Sequence, residues 1–170
     1  AQEGHVLMPK LRVALERANR DLESLVVRSF VSIVGVHFRE LKASLDVSQG
    51  AAPTSPSSAY PLQYMISAGE QLMLLPQLLE ASLESLEASI DDPRVVEDDF
   101  VDTWLERLAT ATCSIYLQEL DGISSLDASQ CRQLGADVEY LCKILNSLDC
   151  EVPVQLVAWA ALLSVADKEG

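Results

Sequence analysis

The side chains best equipped for chemistry in this chain are four cysteines, Cys113, Cys131, Cys142 and Cys150, and two histidines, His5 and His37. Thiolates and imidazoles hold zinc when they come in close pairs, such as Cys-x-x-Cys, that converge on one tetrahedral site. No Cys-x-x-Cys occurs here. The cysteines therefore read as buried free thiols in a reducing compartment, and His37 as a half-buried structural histidine. Carboxylate pairs, the usual general acids and bases, occur only in the run Asp91–Asp102. A di-metal helical bundle would combine inward Glu residues with Glu-x-x-His, and the chain has no Glu-x-x-His. It also has no Gly-x-Ser-x-Gly and no Gly-rich phosphate loop after a strand. The expectation is a protein that is not an enzyme, with no catalytic, cofactor-binding or metal-ligating residue and no cofactor.

The elements that carry these residues are helical. In Cys131–Leu148 the apolar residues Cys131, Leu134, Val138, Leu141, Leu145 and Leu148 recur in steps of three and four, one stripe of an α-helix. Asp127 stands at the N-cap position with Gln130 three places on, a capping box with Asp in place of Ser or Thr. Gly135 inside this helix costs roughly 1 kcal/mol relative to Ala, and a close neighbouring helix would explain it.

Further helices take up most of the rest. One runs from about Pro9 to Asp46, with Leu11, Leu15, Ala18, Leu22, Leu25, Ile33 and Val36 in the same rhythm and Gly35 as a candidate kink. A second runs from Pro61 to about Leu75 through Leu62, Met65, Ile66, Leu72 and Met73, with Gly69 inside, and Pro76 breaks it. Gln77–Ile90 follows, then Asp98–Leu120 with Val101, Trp104, Leu108, Ala111 and Ile115. Trp104 reads as core. The last helix, from Pro153, is apolar almost all round, so it is either fully buried or short of neighbours. Residues 48–59, rich in Pro, Gly and Ser, read as a flexible linker. The organisation expected is a long N-terminal helix over 1–47, the linker 48–59 and a C-terminal helical bundle over 60–170, forming one module with 1–47. The fold class is all-α, a bundle of five to six helices.

The formal charge of −14 opposes nucleic-acid binding, which needs clustered Lys and Arg. Charge is uneven. Residues 1–48 hold seven bases and six acids, whereas residues 80–102 hold nine acids and only Arg94. The acidic run is a solvated helix end and loop, or a docking site for a basic partner. No apolar run reaches the ~20 residues that span a bilayer. The first residue is not Met and no signal peptide is visible, so the chain reads as a piece of something longer.

Three segments, YPLQYMISAGEQLMLLPQLLE (60–80), DTWLERLATATCSIYLQEL (102–120) and QLGADVEYLCKILNSLDCEVP (133–153), carry a resemblance. Their order and spacing are similar to the C-terminal region of the conserved oligomeric Golgi complex subunit 7 family. The resemblance covers about residues 58–155. It implies part of an elongated, rod-like tethering subunit that is peripheral on the cytosolic face of Golgi membranes. It also implies retrograde intra-Golgi vesicle transport within a hetero-oligomer. The implied partners are the other subunits of that complex, SNAREs, and Rab or coat proteins. No partner-binding residue carries over. A helical-bundle small-molecule or lipid carrier is the alternative, and it would enclose a large apolar cavity.

Overall fold

The computed structural model describes the backbone of residues 4–49, 60–87 and 99–169, and the side chains of residues 9–45, 60–85 and 99–165. These residues form α1 (Gly4–Phe38), α2 (Leu41–Gln49), α3 (Gln63–Met73), α4 (Leu75–Glu87), α5 (Phe100–Asp121), α6 (Ala128–Ser147) and α7 (Val154–Glu169). No strand occurs among them, and the all-α bundle expected from the apolar rhythm is what the chain forms. The linker expected at 48–59 lies outside the described residues, except that Ser48 and Gln49 end α2. Residues 88–98 of the acidic run 80–102 likewise fall outside them.

Two breaks arise from local chemistry. The first helix continues through Gly35 and stops at Arg39–Glu40, where Glu40 N donates to His37 O before α2 begins. The second break is at Leu74, and Pro76 stands in the first turn of α4, where its missing amide proton would have no helical acceptor anyway.

The best-defined helix is α6, and both its ends are built as the sequence requires. Asp127 accepts from Gln130 N at 2.8 Å, and the Gln130 carboxamide accepts from Asp127 N at 2.9 Å. At the far end Asp149 adopts a left-handed φ of 54°. Cys150 N donates to Leu145 O at 2.9 Å and Asp149 N to Asn146 O at 3.3 Å, the paired bonds of a Schellman stop.

α6 packs against α7, α3 and α2, while α1 and α4 pack on α5. Its seam is buried as expected, with Leu134, Val138, Leu141 and Leu145 fully enclosed. Gly135 faces α7, but a Cβ there would meet Leu163 at an ordinary 3.8 Å. The glycine that packing demands is Gly69. A Cβ on it would collide with Ile144 and lie 2.8 Å from the Tyr140 ring, so α3 and α6 approach closely at this point.

The outcome differs most in α1. Its expected apolar stripe faces outward: Leu11, Leu15, Leu22, Leu25, Ile33 and Val36 are each more than half exposed. The inward face is a second stripe, Val27, Phe30, Val34 and Phe38, that continues into Leu41 and Leu45 of α2. Side chains at 27, 30, 34 and 38 are also three or four apart, so a helix apolar on two faces leaves the choice to its neighbours. α5 shows a milder offset, burying Leu105, Ala109, Thr112, Cys113 and Tyr116 beside Leu108. Trp104 is only partly buried, with the Arg107 guanidinium 5.6 Å above its ring. In α7, Leu156 and Leu163 are buried, whereas Val154, Val157, Leu162 and Val165 are exposed; the helix lacks neighbours on that side.

Candidate functional site

The groups that could react are mostly buried. Cys113, Cys131 and Cys150 are buried, Cys142 is half-buried, and all four are free thiols. Burial pushes the Cys113 thiol up to about 12, far from the reactive thiolate. His37 is half-buried, as expected. His5 and the carboxylates at 91–98 lie outside the described side chains, and Asp99 and Asp102 are exposed. Among the described residues no three His, Cys, Asp or Glu side chains gather where they could hold a metal ion.

What the bundle does bring together is a buried polar ladder on α6. Gln130, Gln133 and Asp137 stand three and four residues apart and are all buried. Gln130 Nε2 donates to Leu45 O at 3.3 Å, which holds the middle of α2. Gln133 Nε2 donates to Tyr60 O at 2.9 Å. Asp137 Oδ1 accepts from Leu62 N at 2.7 Å, and its Oδ2 accepts from the Tyr64 hydroxyl at 2.7 Å. One edge of α6 thus clamps the chain on both sides of the stretch between α2 and α3.

The ladder extends inward. The Tyr64 and Tyr116 hydroxyls are 3.5 Å apart, and the Tyr116 ring packs on Phe38 with centroids 4.9 Å apart. Helices α1, α3, α5 and α6 therefore meet at one polar point in an apolar core. Burial pushes the Asp137 carboxyl up to about 6, against the hydrogen bonds from Tyr64, Leu62 and Gln133 that favour its charged form. Burial, then the neighbouring Tyr116 and Asp137, also raises Tyr64 above its ordinary value. Every buried side-chain nitrogen or oxygen among the described residues has a partner, which is what a specified core requires.

Sequence reading missed this ladder, although a signal was present. Asp137 lies three residues after Leu134 and four before Leu141, at a core position by spacing. The ladder also joins two of the resemblance segments, because Tyr60-Pro61-Leu62 begins one and Asp137-Val138-Glu139-Tyr140-Leu141 lies in the other.

The surface offers helical faces and shallow grooves. One groove of about 490 Å³ lies between α5 and α7, lined by Leu117, Trp159 and Leu162 among others. Another of about 230 Å³ lies beside the 122–126 loop. Neither is an enclosed apolar chamber of the kind a lipid carrier needs. No helix among the described residues is long and apolar enough to cross a membrane.

The chain is similar to a consistent set of known proteins. The family Golgi complex component 7 (COG7) matches residues 1–169. A relative from Arabidopsis thaliana, "Conserved oligomeric Golgi complex subunit 7", is 31% identical over 116 residues, covering 68% of this chain and 14% of the relative. Relatives of the same name from Drosophila melanogaster and Mus musculus are each 23% identical. They cover 94% and 97% of this chain, and 23% and 24% of their own lengths. The chain thus spans a quarter or less of the length of these curated relatives. No solved structure matches it. With the family matched over residues 1–169, and with two segments of the resemblance locked together at the Asp137 ladder, the chain belongs to the Golgi complex component 7 family.

Proposed function

We propose that this chain is the helical interaction module of a Golgi vesicle-tethering complex subunit, acting without catalysis in retrograde intra-Golgi transport. The observation that carries the reading is the family match over residues 1–169. The physical character of the bundle supports it. Its cysteines are buried or half-buried, its buried side-chain nitrogens and oxygens among the described residues all have partners, and long helical faces are left outward. Such faces bind other helices. The partners in this reading are other subunits of the conserved oligomeric Golgi complex, with SNAREs and Rab or coat proteins as further contacts. The place of action is the cytosolic face of Golgi membranes, held there peripherally through those partners.

The test is co-purification. The tagged chain is expressed in cells whose own subunit 7 has been depleted, and the remaining subunits are quantified by mass spectrometry. Enrichment of those subunits, together with Golgi localisation of the tagged chain, is expected. A chain that folds but enriches none of them, and stays diffuse, overturns the reading.

A further inference from the structure

The outward stripe of α1 is unpartnered, and its chemistry points to one kind of occupant. Every residue from Pro9 to Leu22 is exposed, so this part of the helix stands clear of the bundle. A lone helix of that length is only marginally stable in water. Locally it is held by Arg12 to Glu16 at 2.8 Å and Asn19 to Glu23 at 3.0 Å, contacts that leave the apolar side untouched. Leu11, Leu15, Ala18, Leu22 and Leu25 alternate steps of four and three, the seam spacing of a helix that packs along another helix.

One flank of that seam is basic. Lys10, Arg17 and Arg28 are seven and eleven residues apart, near whole numbers of turns, and line one edge, and all three are exposed. The other edge carries Arg12 with Glu16 and Glu23. Asp21 alone interrupts the basic edge. Of the other acids, Glu16 is engaged with Arg12 and Glu23 with Arg107 at 2.9 Å. In a chain of net charge −14 this is a locally reversed field. An antiparallel second copy packed on the stripe would set the basic edge against its own counterpart. A helix with acidic flanks meets it with opposite charge.

We propose that the Leu11–Leu25 stripe of α1 is the docking surface for an amphipathic helix of another polypeptide, with an apolar seam and Asp or Glu along its flank. The proposal rests on the reading of the chain as an interaction module. Apolar seam contacts supply affinity, and the basic edge selects the partner and its orientation.

The probes are two synthetic helical peptides with the same Leu seam, one flanked by Glu and the other by Lys. Fluorescence anisotropy against the chain should show the Glu-flanked peptide binding at least tenfold tighter, with the preference shrinking in high salt. Leu15→Asp combined with Leu22→Asp should abolish binding without changing the circular dichroism of the bundle, because both positions are exposed. Lys10→Glu combined with Arg17→Glu should reverse the preference. Equal binding of both peptides, or of neither, overturns the proposal. So does concentration-dependent dimerisation of the chain that Leu15→Asp and Leu22→Asp remove, since a second copy then occupies the stripe. Binding to the chain but not to the same stripe within a full-length protein places the covering helix in the same polypeptide and overturns it as well. If the stripe fails these tests while the chain still co-purifies with other subunits, only the surface assignment falls. If co-purification fails too, the reading beneath it falls.

Discussion

Asp137 Oδ1 accepts the amide proton of Leu62 at 2.7 Å across 75 residues of sequence, fixing the N-terminal end of α3 to the middle of α6. The same carboxyl takes the Tyr64 hydroxyl on its other oxygen, so one side chain satisfies two donors at the start of α3. A carboxylate beside a helix N-terminus is also favoured by the helix dipole.

Removing that carboxyl should therefore cost more than its size implies. Asp137→Ala leaves the Leu62 amide and the Tyr64 hydroxyl without their acceptor in a buried site, a loss of about 2–4 kcal/mol. Asp137→Asn keeps an acceptor for Leu62, and Tyr64 can turn its proton toward Tyr116. Urea denaturation should rank wild type and Asn close together, with Ala well below. Equal stability of Ala and wild type would remove the ladder from the account.

The same residue makes stability depend on pH. Its folded value of about 6 lies above the ordinary carboxylate value of 3.8, so the folded state holds the proton more tightly than the unfolded state. That contribution is complete below about pH 4 and is lost as pH rises through 6. Between pH 5 and 7.5 the wild type should lose about 1 kcal/mol relative to Asp137→Asn. Parallel stability curves for the two proteins would contradict this.

Gly69 tests the approach of α3 to α6. In an open helix Gly→Ala gains up to ~1 kcal/mol. Here the new Cβ meets Ile144 and Tyr140, so Gly69→Ala should instead destabilise by about 1–3 kcal/mol. Ile144→Val removes the Cδ1 atom in the way, and the double variant should recover part of that loss. Thermal melts of the four proteins in the cycle measure the coupling.

Leu141 and Lys143 separate the seam of α6 from its surface. Leu141 is fully buried, and Leu141→Asp places an unpaired charge in the core at a cost of several kcal/mol, a large share of a domain's ~5–15 kcal/mol. Lys143 pairs with Glu139 at 2.8 Å on the exposed face. Lys143→Ala should change stability by less than about 1 kcal/mol. Circular dichroism and denaturation distinguish the two variants directly.

The helices were legible in the sequence because each buries a stripe with its own period. The α6 seam, its capping box and the interruption near Pro76 follow from local rules, and the structure has all three. Which face of α1 turns inward was not legible. Leu11–Val36 and Val27–Phe38 are both apolar stripes, and only the presence of α3 and α5 selects the second. The Asp137 ladder was half legible. Its spacing marks a core position, but its partners Tyr60, Leu62 and Tyr64 lie more than seventy residues away, and no local rule joins them. Gly69 was visible as a glycine in a helix; its reason, the Tyr140 ring and Ile144, is tertiary.

The central proposal is that this module works by holding partners and not by chemistry. It is tested most directly by the cell-surface glycan profile of cells whose only subunit 7 carries single substitutions at the exposed polar residues of this chain. Each variant is checked in parallel for folding and complex assembly. The account predicts that glycan processing fails only in variants that also lose fold or assembly. A single exposed polar substitution that abolishes processing while both stay intact would contradict it.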